Sequence, residues 1–390
     1  MRPKLLQTRG YSVAAMRHMA RRRLPRVIFD FADGAAENEW TLRANEQAFE
    51  QYVLLPKPLS GRQGSDQSIE LFGEQIATPV LIGPTGLAGA MWPKGEIAAA
   101  RAAAAAGTIF TMSHAATLTM EELAKEAPGR LWMQTYLYRD RAVTREFMER
   151  AQAGGFKALV LTTDNQVLGQ RERDLRNGFT IPPRLRPRTV LDMALHAGWL
   201  LRMRQTPSIT FANYVKPGQR RNDILSLGAY MANMLDPAAT WRDVEWLRGL
   251  WTGPLLLKGI LHPDEAREAV AVGADAIIVS NHGGRQLDGA MPSIEALPWA
   301  VEAVQGKIPV LLDGGVRRGA DVVKALALGA SACLIGRPAL WGLAVAGEQG
   351  VAHVLEIFRR EIDRVLTLCG VEDLRQLRGN AGATVYRRQS

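Results

Sequence analysis

Short, unbroken apolar runs recur along the chain, each bounded by turn residues and each followed by a stretch with helical spacing. The runs are PVLIGP at 79–84, TIFTM at 108–112, LWMQTY at 131–136, ALVLTT at 158–163, PLLLKG at 254–259, AIIVS at 276–280, PVLLD at 309–313 and ACLIG at 332–336. None alternates apolar with polar positions, which is how a strand buried on both faces of a parallel sheet reads. The helical stretches between them include EIAAARAAAAAG, RAVTREFMERAQAGG, PDEAREAVAVG and GADVVKALALG. Parallel strands need crossover helices, and eight such βα units close on themselves without a free edge. The pattern predicts a (β/α)8 TIM barrel. An open doubly wound sheet fits less well, because no GxGxxG follows the first strand.

One unit breaks the rhythm. After the fourth strand about seventy residues, from Asn165 to Pro237, precede the next helix, far more than a usual βα loop. Residues 176–221 hold nine basic side chains against one acid, Asp192, so this one insertion accounts for nearly all of the chain's net charge of +9. Within it TVLDMALHAGWLL (189–201) is apolar and helix-permissive, between PPRLRPR and RMR. An apolar helix between arginine clusters reads as an anchor on an anionic membrane surface. The alternative is a solvated lid over the site.

The remaining composition narrows the class. At 47% hydrophobic and 22% charged residues the chain is an ordinary globular sequence, not a disordered one. Two cysteines, Cys333 and Cys369, make no disulfide framework and fit a reducing compartment. No apolar run reaches the roughly 18 residues that span a bilayer. The basic N-terminal stretch lacks a continuous apolar core, so no signal peptide is expected. No reading motif accompanies the basic charge, which argues against a nucleic-acid partner.

In such barrels the chemistry sits at the C-terminal ends of the strands. Polar residues gather there: Ser113 and His114 after the second run, Gln134 and Tyr136 in the third, Thr162, Thr163 and Asp164 after the fourth, Lys258 in the fifth, and SNHGGRQLD (280–288) after the sixth. A lysine ending a buried strand needs an anion or an electron-rich ligand. DGGVRRGAD (313–321) and GRPAL (336–340) follow strands seven and eight, the usual phosphate cradle of the fold. His282 and Arg285 share one short loop, so a base and a carboxylate-binding guanidinium meet one small molecule. His18, His196, His262 and His353 lack such company and read as ordinary histidines, and no spacing suggests a metal site.

SNHGGRQLD, DGGVRRG and the GR after strand eight closely resemble the FMN-dependent α-hydroxy-acid dehydrogenase/oxidase family, from about Tyr11 to about Leu374. GPTGLAGAMWPKGE (83–96) looks most like the mandelate dehydrogenase branch, whereas KGILHPDEAR (258–267) suits the lactate enzymes equally. The resemblance makes LPRVIFDFADGAAENEWTLRAN part of a helical cap. It divides a single domain, 1–390, into a cap (1–75), a barrel (76–164 and 236–370) and an insertion or lid (165–235). It implies oxidation of an (S)-2-hydroxy acid to the 2-oxo acid with FMN as cofactor. His282 is then the base, steadied by Asp164, and takes either the hydroxyl proton, with hydride transfer, or the α-proton. Arg285 and Arg171 hold the substrate carboxylate and Tyr136 bonds the substrate. Lys258 faces the flavin ring. Ser113, Gln134, Thr162, Ser280 and the backbone of Pro84, Thr85 and Gly86 surround the ring and ribityl chain. Asp313, Gly315, Arg317, Gly336 and Arg337 hold the ribityl and phosphate groups.

Three positions depart from the family pattern. Phe31 stands where a tyrosine usually contacts the carboxylate, Gly86 where the oxidases usually carry alanine, and Ala115 where other members carry a bulky tryptophan. Phe31 and Ala115 imply a roomier, more apolar pocket for an aromatic or larger acid. Gly86, together with the basic insertion, implies electron transfer to a quinone or another carrier, with an L-lactate dehydrogenase and a soluble oxidase making H2O2 as the alternatives. The expected location is cytoplasmic, peripheral on the inner membrane, and the family's common tetramer is the expected assembly.

Overall fold

The computed structural model describes residues 3–61, 64–179, 186–204, 209–215, 233–377 and 384–388. Eight parallel strands close into a barrel: β1 (Val80–Ile82), β2 (Ile109–Met112), β3 (Arg130–Thr135), β4 (Ala158–Thr162), β5 (Leu255–Ile260), β6 (Ala276–Val279), β7 (Val310–Asp313) and β8 (Ala332–Ile335). Each pairs with its sequence neighbours, and β8 closes on β1 through Cys333↔Val80, Leu334↔Leu81 and Ile335↔Ile82. The strands are the predicted apolar runs and are almost wholly buried, inside by packed side chains and outside by the helices. The helical segment Arg337–Cys369, kinked at Ala346 and Gly347, packs on the alanine-rich helix Gly95–Ala105, whose small side chains permit a close approach.

One irregularity serves the site. The register of β5 against β6 shifts between Lys258 and Ile260, a bulge that re-aims the strand end. Gly259 at its centre has φ +109°, and a Cβ there would lie 2.7 Å from that of Asp164. Only glycine lets Asp164 sit beside the bulge.

The N-terminal helices Val13–Arg23, Arg26–Asp33 and Trp40–Gln47 are tied to the loops at the C-terminal end of the barrel. Asp288 accepts the backbone N–H of Thr41 at 2.8 Å, and Asn45 and Asn281 exchange side-chain hydrogen bonds of 2.8 Å. Two short strand pairs, Tyr52–Leu54 with Val385–Arg387 and Ile69–Leu71 with Glu74–Ile76, were not predicted, being too short to show a period.

The apolar stretch of the insertion differs from the single expected helix. It forms α1 (Pro187–Leu195) and α2 (Ala197–Met203), broken at His196, whose Nδ1 lies 2.7 Å from the carbonyl oxygen of Asp192. Its attachments to the barrel and cap are few and specific. Trp199 is buried and donates from Nε1 to the Ala90 carbonyl at 2.9 Å, Asp192 accepts the Arg26 backbone N–H at 2.6 Å, and Arg202 lies 5.1 Å over the Trp92 ring. Val190, Leu191, Leu195 and Leu201 remain 53%, 62%, 76% and 58% exposed. Arg184, Lys216, Arg220 and Arg221, part of the basic count, lie outside the described residues. No helix among the described residues is long and apolar enough to cross a membrane.

Candidate active site

A cavity of about 320 Å³ opens at the C-terminal ends of the strands. His282 stands at its wall, at the start of a tight turn, His282–Gly284, that follows β6. Its own φ is +58°, a strained conformation for a side-chain-bearing residue. Ser280 Oγ accepts the His282 backbone N–H at 3.0 Å, and Asn281 Oδ1 accepts that of Gly284 at 3.2 Å. A Cβ on Gly283, φ +63°, would lie 2.6 Å from Arg337 Nη1, so the two-glycine turn lets the guanidinium close in.

His282 Nδ1 is 2.9 Å from Asp164 Oδ1. A carboxylate only accepts, so Nδ1 carries the proton and the Nε2 lone pair is left free for a proton from a ligand. Burial holds the His282 pKa below its ordinary value; Asp164 pulls it up, while Lys258 and Arg171 add to the lowering. The ring is therefore neutral near pH 7, as a base requires.

Three partly buried guanidinium groups line the same cavity. Arg285 donates from Nη1 to the carbonyls of Phe31 (2.8 Å) and Gly34 (2.9 Å), and Arg337 to those of Asp33 (Nε, 3.0 Å) and Gly34 (Nη2, 2.7 Å). The Nε of Arg171 is buried without a partner among the described residues. Desolvation lowers all three pKa values, that of Arg337 to about 10. Arg171 and Arg337 repel Arg285 further, and Asp174 offsets only part of this. Cations held in this way await anions.

Deeper in, Lys258 is buried, with Nζ 2.9 Å from Asp313 Oδ2 and donating to Ser280 Oγ at 2.8 Å. Burial opposes its charge, but Asp313 and Asp164 outweigh that and raise its pKa. Lys258 thus has a carboxylate partner already. Thr162 Oγ1 is buried with no partner among the described residues. Gln134 Oε1 accepts the His114 backbone N–H at 3.2 Å and lies 3.4 Å from Ser113 Oγ. Gly314, Gly315, Gly336, Arg317 and Arg337 line the same cavity. An orphaned hydroxyl, a lysine, arginines and glycine backbone together fit a polar ring carrying a phosphate.

All the residues predicted for the site line this cavity except Asp164 and Ser280, which are hydrogen-bonded to His282 and Lys258 of its lining. Sequence reasoning gave no role to His114 and missed the apolar wall: Phe179, packed 5.0 Å from Phe31, with Phe211, Leu168 and Leu235. These come from irregular stretches without period, so no signal marked them. A Cβ on Gly86 would lie 3.2 Å from that of Ala115, and these two small residues, both lining the cavity, leave room in its wall. Among the described residues no cluster of three His, Cys, Asp or Glu could hold a metal ion.

Residues 20–383 match the family of FMN-dependent dehydrogenases. The (S)-mandelate dehydrogenase of Pseudomonas putida is 42% identical, over 94% of this chain and 92% of its own length. An L-lactate oxidase from a Nostoc species is 44% identical, over 92% of this chain and 94% of its own. Among solved structures, one described as the monotopic membrane protein (S)-mandelate dehydrogenase superposes with a TM-score of 0.91 at 40% identity, over 97% of this chain and 99% of that one. A mandelate oxidase superposes with a TM-score of 0.81 at 39% identity, over 94% and 96%.

Proposed function

This chain belongs to the family of FMN-dependent dehydrogenases and is an FMN-dependent oxidoreductase acting on the CH–OH group of a 2-hydroxy acid; from that premise we propose that its substrate is an aromatic or other large (S)-2-hydroxy acid, and that the electrons leave to a quinone or another carrier at a membrane surface. The observation that carries the substrate reading is the joining of two surfaces in one cavity. Arg171 and Arg285 offer a carboxylate site, and Phe31, Phe179, Phe211 and Leu235 offer apolar surface in the same cavity, where Gly86 and Ala115 leave room.

In this reading Arg171 and Arg285 fix the substrate carboxylate and Tyr136 donates its hydroxyl to the substrate. Burial raises the Tyr136 pKa, which keeps that proton in place. His282 Nε2 receives the proton, and Asp164 steadies the imidazolium that results. Bound FMN supplies the two-electron acceptor. Lys258, Thr162, Ser113 and Gln134 hold its ring, with Ser280 acting through Lys258. Asp313, Arg317, Arg337 and the backbone at Gly315 and Gly336 hold the ribityl and phosphate groups. The cap, barrel and insertion act as one unit. The exposed leucines of α1 and α2, beside Arg186, Arg188 and Arg204, support attachment of the insertion to an anionic membrane surface, which in this reading is the cytoplasmic face of the inner membrane. A homotetramer is expected.

The test is an anaerobic flavin titration. Bleaching of the band near 450 nm by (S)-mandelate and not by L-lactate is the expected result, with slow recolouring in air. Bleaching by lactate alone refutes the large-substrate reading, and rapid recolouring with stoichiometric H2O2 refutes the membrane acceptor. The likeness to an L-lactate oxidase is the observation that favours a second reading, an oxidase that passes the electrons to O2 and makes H2O2.

A further inference from the structure

One polar cluster in the cavity wall has no part in the mechanism above. His114, directly after β2, lines the cavity and is 7% exposed. Its Nδ1 is hydrogen-bonded to the Tyr214 hydroxyl and lies 3.3 Å from that of Tyr138, and the two phenols are hydrogen-bonded to each other. The imidazole packs edge-on against Tyr136, with ring centroids 4.5 Å apart at 77°, and Tyr138 meets Tyr136 edge-on at 6.5 Å and 88°. Two of the rings around Tyr136 are therefore joined to each other through Tyr214.

Tyr214 belongs to the returning end of the insertion, 100 residues from His114. That end is pinned to the barrel. Ala212 N donates to the Ala116 carbonyl (3.0 Å), Asn213 Oδ1 accepts the Met120 backbone N–H (3.0 Å), and Arg150 Nη1 donates to the Asn213 carbonyl (2.9 Å). Its ring packs 5.1 Å from that of Phe147. Burial, with a further push from His282, brings the His114 pKa down to about 3, so the ring is a neutral hydrogen-bonding group and not a second acid or base near pH 7.

We infer that His114 and Tyr214 are positioning residues: linked through Nδ1 and the phenol hydroxyl, they fix the ring of Tyr136 beside the reacting centre and make the returning end of the insertion part of the catalytic apparatus. The inference rests on the reading of Tyr136 as the substrate's hydrogen-bond donor. A donor acts only within a narrow range of distance and angle; Asn165 holds the Tyr136 hydroxyl by a side-chain hydrogen bond, and the edges of His114 and Tyr138 limit the tilt of its ring. A hydrogen-bonded imidazole resists that tilt, because rotating it away breaks its contacts with two buried hydroxyls.

The test is a double-mutant cycle on the FMN-loaded protein, read as the limiting rate of anaerobic flavin reduction by (S)-mandelate, or by L-lactate if that is the acid that bleaches it. Tyr214→Phe keeps the ring on Phe147 and should retain the yellow colour while slowing reduction about tenfold, with a smaller change in KM. His114→Phe, which keeps a ring but lacks Nδ1, should match it. In a Tyr136→Phe background either change should cost less than about twofold, since a positioning residue has no effect once its client hydroxyl is gone. Full-size losses in both backgrounds, or no loss in the first, would overturn the inference while leaving the role of Tyr136 standing. A Tyr136→Phe enzyme as fast as wild type would overturn that role and the inference with it.

Discussion

His282 Nδ1 and Asp164 Oδ1 are 2.9 Å apart, and the second oxygen of that carboxylate is buried with no hydrogen-bond partner among the described residues. The charge of Asp164 is thus spent on the imidazole and, at longer range, on Lys258. It favours protonated His282, while burial favours the neutral ring and wins.

The pH dependence follows in sign. A base must be neutral to act, so kcat/KM, which reports the free enzyme, is flat near neutrality and falls as the pH drops through a histidine pKa below the ordinary 6.5. Asp164→Asn removes the group that raises this pKa, so the acid limb moves to still lower pH. The same change slows flavin reduction about 10²-fold, because the imidazolium loses its partner. Rate profiles of the two proteins check both points; a limb above 6.5, or one that moves up in the variant, contradicts the assignment.

Arg171 tests the anion site through stability. Its Nε has no partner among the described residues and desolvation lowers its pKa, so the guanidinium stands ready for a ligand at some expense to the ligand-free fold. Arg171→Met should reduce kcat/KM by about 10- to 100-fold, the worth of a charged hydrogen bond. The Tm of the substrate-free protein should stay the same or rise. A clear fall in Tm would show the arginine to be structural.

The Lys258–Asp313 pair behaves in the opposite way. Each group sustains the other's charge, raising the lysine pKa and depressing that of the aspartate. Lys258→Met strands Asp313 in the barrel and should cost ~3 kcal/mol in urea unfolding. Adding Asp313→Asn should recover most of that loss without restoring flavin reduction, since the cation is still missing.

The barrel was legible because its strands are buried on both faces, so each reads as a solid apolar run ending abruptly in polar residues such as Thr162, Lys258 and Ser280. The turn carrying His282 was equally plain, its two glycines and arginine having no use in a core. What stayed hidden lies in the insertion and in contacts between distant segments. Phe179 and Phe211 follow no period, and nothing in the sequence near Tyr214 points to His114. The break between α1 and α2 comes from His196 reaching the Asp192 carbonyl, a local competition that apolar periodicity does not register.

The insertion yields the last prediction. α1 has no buried residue, and its Leu191 and Leu195, with Leu201 of α2, point their apolar surface to solvent in a stretch otherwise rich in arginine. A solvated lid has no use for three such leucines, whereas a surface seated among acyl chains gains up to ~1.5–3 kcal/mol from each. Leu191→Gln, Leu195→Gln and Leu201→Gln combined should lower binding to phosphatidylglycerol vesicles by at least about tenfold, with bleaching by substrate unchanged. The arginines add an attraction of ~1 kcal/mol each near an anionic surface, so binding should also weaken with salt and on neutral vesicles. These substitutions are a sharper test than deleting 178–215, which would also remove Phe179 and Phe211 from the cavity and Tyr214 from its bond to His114. Undiminished co-sedimentation of the triple variant would exclude the leucines as the anchor and leave the insertion as a cover for the site.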